Sequence, residues 1–210
     1  IQLLDVLAGA TLDRLAQAEA LARSGEVVLD AHTAHQLADR LTIRAWRDSA
    51  AGDPVAVVGT LGADLPDPIP VPAPTLAPDL PLNAWLLPAV AARLRAGNGE
   101  FLTELRPAVA LFLRFDGLDY EAAAASDQLD AFVRWVQAVL RRFAGVLLQL
   151  SIGEKGSYLY AAFGAPTLHE DDAERAATAA LELRTPPSEL GIRAVQMGLA
   201  QGTLRTGAYG

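Results

Sequence analysis

Apolar and polar residues recur with two different periods along this chain, and these periods predict where its helices and strands lie. Up to residue 62, spacings of three and four residues predict two helices, and short apolar runs predict three strands. These elements are Leu12–Ala22, Glu26–Leu29, Asp30–Leu41, Thr42–Arg47 and Val55–Thr60. Asp30 is a suitable cap for the second helix. Because Gly52-Asp53-Pro54 separates the last two strands, we expect them to form a hairpin.

After residue 104 the pattern predicts the order strand, helix, strand, strand, helix, strand. The predicted strands are Ala108–Phe115, which we expect to be buried, Val146–Ser151, Tyr158–Phe163, and a final hairpin of Ile192–Ala200 with Thr203–Tyr209. The long helix carries apolar residues from Leu129 to Phe143 at i, i+3, i+4 and i+7 spacing. An alanine stripe in the helix after His169 allows close packing on a sheet. This β-α-β-β-α-β order predicts a ferredoxin-like α+β fold, with helices packed on an antiparallel-rich sheet.

A proline-rich segment separates the two parts. Residues 66–81 contain seven prolines in sixteen positions, a composition that favours extended polyproline II. A short helix follows, with Pro88 in its first turn and Gly97 at its end. We therefore divide the chain into residues 1–61, a linker with a short helix at 62–103, and residues 104–210.

Composition narrows the functional classes. The net charge of −8 argues against a nucleic-acid or anionic-membrane surface, since both need basic patches. No apolar run is long enough and free enough of charge to span a bilayer, and no basic region of a signal peptide precedes the first helix. Without cysteine there are no disulfides or thiolate metal sites. We expect a cytoplasmic protein and, since the chain does not begin with Met, a portion of a longer one.

The segment from Gly145 to Leu183 contains FGAP followed by HEDDAERA. This spacing resembles the middle of a class III adenylate/guanylate cyclase domain, and most of all the second of the two cyclase domains in soluble-type adenylyl cyclases. Residues 1–61, with LLDVLAG and SGEVVLDAHTAHQL, look like the C-terminal half of a first domain. Residues 104–210, from ELRPAVALF onward, look like the N-terminal half of a second, degenerate domain. The resemblance implies the class III cyclase fold, present as two half-domains.

The resemblance implies part of a bacterial-type multidomain adenylate or guanylate cyclase, which converts ATP to cyclic AMP and pyrophosphate in signal transduction. In such cyclases two aspartates hold two metal ions, Mg²⁺ or Mn²⁺, which activate the 3′-hydroxyl and neutralise the leaving group. In the family the first aspartate lies three residues before a glycine, and a count back from Gly117 places Arg114 at that position. Glu154 stands at the position of the second aspartate. Asp116 lies two residues beyond the first aspartate position. The alternative is that it is an ordinary loop carboxylate or a cap. We expect no metal site in this fragment.

The turn between the two middle strands carries the candidate nucleotide site. The resemblance implies that Lys155, the only lysine among 17 basic residues, donates a hydrogen bond to a purine ring, with Glu154 and Gly156 in the same turn. The alternative is an ordinary exposed lysine on a β-turn. Asp13 and Gln17 stand where the family has its transition-state asparagine and arginine. Neither stabilises a developing phosphoryl charge as a guanidinium does, so the fragment is expected to have no catalytic residues.

Two other clusters contain potential metal ligands. Residues 169–172, His-Glu-Asp-Asp, favour a helix cap over a metal cluster, and His32 with His35 lacks a third ligand.

Alternative functions stay open. One is a non-catalytic pseudo-cyclase regulatory module that binds nucleotide or a protein partner; another is a ferredoxin-like interaction domain without a ligand. The expected partners are ATP, through Lys155, and another cyclase half-domain or a second copy of the chain. We hypothesise that residues 1–61 complete the sheet of residues 104–210, within one chain or exchanged between two.

Overall fold

The computed structural model describes residues 2–49, 52–62, 82–97, 104–153 and 156–206. The chain divides into two compact units: Ala8–Pro78, called here the N-terminal unit, and Ile1–Leu7 with Asp79–Gly210, called the C-terminal unit. The predicted polyproline II segment at 66–81 lies outside the described residues. Whether the units are halves of two cyclase domains, with the boundaries predicted above, stays a prediction.

The N-terminal unit has two helices and three strands. They are α1 (Ala10–Ala20), β1 (Val28–Asp30), α2 (Ala31–Gln36), β2 (Leu41–Asp48) and β3 (Pro54–Leu61). The predicted hairpin is confirmed, because β2 pairs antiparallel with β3. The Asp30 cap is confirmed as well, since its Oδ1 accepts a hydrogen bond from the Thr33 backbone N–H at 2.9 Å. The second helix ends at Gln36, before the predicted Leu41.

The strands of the N-terminal unit form a sheet of their own. β3 lies between β1 and β2 and pairs antiparallel with both, so the order is β1-β3-β2. Among the described residues, none of these strands belongs to the sheet of the C-terminal unit. The hypothesis that residues 1–61 complete that sheet within one chain is therefore wrong. The version in which two chains exchange these parts stays a prediction.

The C-terminal unit has the predicted element order. Its elements are a 3₁₀ turn (Leu82–Trp85), α3 (Pro88–Arg95), β4 (Glu104–Asp116), α4 (Ala125–Arg142), β5 (Val146–Gly153), β6 (Gly156–Phe163), α5 (Asp172–Leu183), a second 3₁₀ turn (Ser188–Leu190) and β7 (Ala194–Thr206). The strands form a four-stranded sheet of order β5-β6-β4-β7 in which every neighbour is antiparallel. This order and the β-α-β-β-α-β sequence confirm the α+β, ferredoxin-like prediction.

The predicted final hairpin is wrong, because β7 is one continuous strand of 13 residues. It pairs with β4 from Glu104↔Thr206 to Asp116↔Ala194 without a register shift. Gly202, which lies between the two predicted strands, lies opposite Ala108 within the ladder. The long β4 offers a backbone partner to every residue of β7, so the ladder continues through the glycine.

One face of this sheet makes the core. Alternate residues of β4 are buried: Val109, Leu111, Leu113 and Phe115. They pack with apolar residues of α4 and α5, including Phe132, Val136, Leu140, Ala176, Ala179 and Leu183. The expectation that Ala108–Phe115 is buried therefore holds for this face and, on the other face, for Ala108 alone. Phe112 and Arg114, which alternate with the core residues, are exposed.

The short helix before β4 is confirmed, with Pro88 at its start and Gly97 after its end at φ +74°. Its buried residue is Ala91, and Leu94 is exposed. Within the described parts of the chain, no helix combines the length and apolar character needed to cross a membrane.

The first residues of the chain belong to the C-terminal unit. The Gln2 backbone N–H donates to Oε1 of Gln137 at 3.0 Å, and Nε2 of Gln137 donates to the Gln2 carbonyl at 2.9 Å. The Leu3 N–H donates to the Ala84 carbonyl at 2.7 Å, and Leu4 packs on the core. The buried side-chain amide of Gln137 in α4 thus bonds to both the backbone N–H and the carbonyl of Gln2, as the backbone of a neighbouring strand would.

Candidate functional site

The candidate site lies where β4 ends on the exposed face of the sheet. Arg114 and Asp116 have the same parity, so both side chains lie on the face away from α4 and α5. Arg114 pairs across the sheet with Tyr158 of β6 on one side and Gln196 of β7 on the other. The sequence prediction that Arg114 stands at the end of the first strand is consistent with this register.

The first residue of β6 lies beside Arg114. Gly156 opens β6 with φ +103°, a conformation that favours glycine. A Cβ on Gly156 would lie 3.2 Å from Nε of Arg114, so the guanidinium lies against the backbone of Gly156. Of the three predicted site residues, the structure therefore brings Gly156 to Arg114. Glu154 and Lys155 lie outside the described residues, and their roles stay predictions.

Asp116 is held by a second arginine. Its Oδ1 accepts a hydrogen bond from Nη2 of Arg193 at 3.0 Å, and its backbone carbonyl accepts from the Arg193 N–H at 2.8 Å. The hydrogen bond from Arg193 lowers the pKa of the Asp116 carboxyl, and the nearby charge of Arg114 contributes a smaller part of the same shift. Asp116 is thus an ionised carboxylate between two cations.

Whether this end of the sheet holds metal ions stays a prediction. At the position that the resemblance predicts for the first metal ligand stands Arg114, whose guanidinium has only hydrogen-bond donors and so cannot coordinate Mg²⁺. Asp116, two residues further along β4, is engaged by Arg193. Within the described ranges no group of three or more potential metal ligands occurs.

Two further contacts at this end were not foreseen from the sequence. The hydroxyl of Tyr120 bonds to Oγ of Ser157, which is buried at the start of β6, and burial raises the pKa of Tyr120. This contact ties the loop after β4 to the first residues of β6. The second is an aromatic pair: the rings of Phe112 and Tyr160 stack with centroids 4.7 Å apart. Phe112 is 54% exposed.

The aromatic pair was missed because of the local sequence. Residues 108–115, Ala-Val-Ala-Leu-Phe-Leu-Arg-Phe, are apolar in both parities except at Arg114, which is typical of a strand buried on both faces. The available signal was Arg114 itself. A charged residue in an apolar strand is expected on the exposed face, and Phe112 lies on the same face as Arg114 because the two are two residues apart.

A concave surface lies at the other end of β4. It is a cleft of about 350 Å³ between β4, Gln201 of β7 and the start of α5. The buried Asp172 accepts from the His169 N–H at 2.7 Å, and Nδ1 of His169 lies 3.2 Å from its other oxygen. Asp171, the N-cap residue, makes no side-chain cap bond and pairs with Arg175 instead. The predicted hydrogen-bonding cap is therefore wrong: Asp172 binds the His169 backbone before the helix, and Asp171 pairs with Arg175 along it.

The remaining predicted candidates lie elsewhere. Asp13 and Gln17 are on α1 of the N-terminal unit, and Asp13 is exposed. His32 and His35 are exposed on α2, where His32 contacts Gln36 through its ring nitrogen and His35 lies 6.1 Å from the ring of Trp46.

Comparison with known proteins gives structural neighbours only. No protein-family model matches the chain, and no curated protein matches it. It is similar to the guanylate cyclase domain of RhGC from Catenaria anguillulae in complex with GTP, at 17% identity, TM-score 0.39, 48% of this chain and 59% of that one. A non-canonical dimeric guanylyl cyclase domain of the RhoGC fusion protein from the aquatic fungus Blastocladiella emersonii matches at 18% identity, TM-score 0.41, 52% and 65%.

The guanylyl cyclase Cya2 matches at 22% identity and TM-score 0.37, over 49% of this chain and 56% of that one. The chain thus spans less than two thirds of each of these structures. Values of this size do not show that the chain belongs to their family.

Proposed function

We propose that this chain is a portion of a class III nucleotide cyclase-type signalling protein, and that its C-terminal unit binds a purine nucleotide without catalysing. One observation carries the proposal: Arg114 stands on the exposed face at the end of β4, against Gly156 at the start of β6. In the cyclases that the sequence resembles, the corresponding strand end and turn carry the two metal-binding aspartates. This position of Arg114 supports a site derived from a cyclase, with a cation in place of a metal ligand.

With Arg114 in place of a metal-binding aspartate, the unit loses catalysis and keeps the ability to bind a nucleotide. Cyclisation of ATP needs a metal-activated 3′-hydroxyl and a neutralised pyrophosphate. Arg114 supplies positive charge and hydrogen-bond donors, but it cannot activate a hydroxyl by coordination. Lys155, in the turn next to Gly156, would add a compact donor for the purine ring. The second candidate function, a complete adenylate or guanylate cyclase, would draw its Mg²⁺ or Mn²⁺ ligands and transition-state residues from outside this chain.

Calorimetric titration with a non-hydrolysable ATP analogue, in Mg²⁺-containing buffer, tests the binding half of the proposal. We expect saturable binding by the unsubstituted chain and about tenfold weaker binding by Lys155→Ala, because a charged hydrogen bond is lost. Arg205→Gln is the matched control, since Arg205 is an exposed cation of β7 whose position has the parity opposite to that of Arg114. Equal binding by Lys155→Ala would make Lys155 a surface residue, and no binding at all would favour a ligand-free interaction domain.

A cyclase assay with Mn²⁺ tests the catalytic half. We expect the chain to form no cyclic AMP or cyclic GMP. In parallel, Arg114→Asp is expected to gain Mn²⁺ binding, measured by electron paramagnetic resonance, because it places a carboxylate beside Gly156. Cyclic nucleotide formation by the unsubstituted chain would contradict the proposal.

A further inference from the structure

The exposed face of the C-terminal unit carries an aromatic shelf, defined here as Phe112, Tyr160 and Gly198. Phe112 and Tyr160 lie on the two central strands and stack on one another. Gly198 of β7 lies opposite Phe112, and a Cβ placed on it would meet no atom within 4 Å. The ring of Phe112 therefore borders open space on the β7 side. A flat apolar surface of this kind accepts a planar ring, and stacking of a base on an aromatic side chain contributes about 1–3 kcal/mol.

An available cation lies next to the shelf. Arg114 follows Phe112 by two residues, which places it about 7 Å further along the same face. Among the described residues, the exposed Arg114 guanidinium makes no side-chain hydrogen bond. The glycine at position 156 leaves the space that the guanidinium occupies. Arg193, which is 74% exposed and held by Asp116, adds a second positive charge at the same end of the sheet.

We propose that this surface binds a nucleoside phosphate without a metal ion, with the base on the aromatic shelf and the phosphate on Arg114. The inference rests on the nucleotide-binding function proposed above and adds the ligand's orientation and its independence of Mg²⁺. One ribose separates the base from the phosphate, which suits the spacing of the shelf and Arg114. Guanidinium and phosphate make paired charge-assisted hydrogen bonds, so the arginine takes over the charge neutralisation that a metal ion would provide.

A mononucleotide fits this surface better than a nucleic-acid strand. Binding of single-stranded RNA or DNA needs a basic groove that follows several successive phosphates. The described cations at this end are Arg114 and Arg193, and Asp116 neutralises part of their charge. The net charge of −8 adds a repulsive background for a polyanion.

Titration of the chain with ADP and with adenosine, both in excess EDTA, tests the proposal. We expect ADP to bind saturably. Arg114→Gln should weaken ADP binding about tenfold and leave adenosine binding unchanged, because only ADP has a phosphate. Phe112→Ala should weaken both ligands about tenfold, because stacking is lost. Controls are Arg205→Gln and Leu105→Ala, which change exposed residues at positions of the opposite parity.

Each other outcome has a defined meaning. ADP binding that needs Mg²⁺ and Lys155 but not Arg114 or Phe112 would overturn this inference and leave the proposed function standing. Binding that needs Arg114 and Phe112 but not Lys155 would support it and remove the role of Lys155. Tighter binding of a single-stranded octanucleotide than of ADP would overturn the mononucleotide assignment. Absence of any nucleotide binding would overturn both proposals. Circular dichroism of each variant verifies that it is folded.

Discussion

Glu26 joins α1 to the sheet of the N-terminal unit. Its carboxylate accepts hydrogen bonds from Nη1 and Nη2 of Arg47 at 2.7 and 3.0 Å and from the Arg23 N–H at 3.0 Å. Arg44 pairs with the same carboxylate, and Arg47 also donates to the Leu21 carbonyl at the end of α1. The side-chain hydrogen bonds from Arg47 are the largest cause of the fall in the pKa of Glu26 from 4.5 to about 2.

This cluster predicts a pH-dependent stability of the N-terminal unit. Because the folded-state pKa of Glu26 is depressed, its contribution is present above the ordinary value of 4.5 and is lost as the pH falls towards about 2. We expect Glu26→Gln to lower the urea midpoint at about pH 6 and to lower it much less at about pH 3. Glu19→Gln, which changes an exposed carboxylate of α1, is the control. An equal loss at both pH values would contradict the prediction.

At the residue scale, only part of the candidate site could be predicted from the sequence. Arg114 could be placed at the strand end by counting from Gly117, since strand parity is a local property. Its approach to Gly156 could not, because that contact depends on the pairing of β4 with β6 across more than forty residues. The Asp116–Arg193 pair, 77 residues apart, was unforeseen for the same reason.

At the scale of elements, α4 shows how one helix selects the covered face of the sheet. Phe132 is fully buried between Phe115 and Trp135, with ring centroids 4.7 and 6.0 Å away. Phe112, only three residues before Phe115 in the same strand, has the opposite parity and is exposed. Phe132 is therefore expected to contribute more to the stability of the C-terminal unit than Phe112, because Phe132 lies in the core and Phe112 lies on the exposed face.

Truncating these two side chains should have unequal effects. We expect Phe132→Ala to lower the free energy of unfolding of the C-terminal unit by about 3–5 kcal/mol, through lost apolar burial and a cavity. Phe112→Ala should change it by less than about 1 kcal/mol, since that ring is half in water already. Urea unfolding followed by circular dichroism measures both. Equal losses would mean that the exposed face is covered in solution.

The strand predictions failed where long-range pairing overrode a local signal. Gly202 is a reasonable turn residue when considered locally, and the flanking runs are apolar enough for two short strands. In the structure β4 offers thirteen backbone partners, and β7 uses all of them. Conversely, Asp30 was placed correctly because a helix cap is decided within four residues.

At the scale of the whole molecule, the C-terminal unit is assembled from two separate parts of the chain. Residues 1–7 and 79–210 belong to it, although the N-terminal unit lies between them in sequence. The two hydrogen bonds between Gln2 and Gln137 and the bond from Leu3 to Ala84 hold the first part in place. No sequence pattern suggested this contact, because a lone glutamine in a helix has no periodic signal.

Removing the Gln137 amide should loosen this attachment selectively. We expect Gln137→Ala to speed amide hydrogen exchange of Leu3 by about tenfold, since the neighbouring backbone loses two hydrogen bonds. Nuclear magnetic resonance detects the Leu3 amide directly. Gln149→Ala, which changes an exposed glutamine of β5, should leave its exchange unaltered. Unchanged protection of Leu3 in Gln137→Ala would show that other contacts hold the segment.

The sequence by itself determined the kinds and order of most elements and the position of Arg114 at the end of a strand, whereas the division around the proline-rich segment stays a prediction. The elements and the position of Arg114 follow from periodicity, capping and turn chemistry, which act over a few residues. Only the tertiary structure decided that the two groups of strands form separate sheets, that β7 is continuous, that Phe112 is exposed and that Gln2 binds Gln137. Each of these depends on which distant segments bury one another, and local composition does not encode that choice.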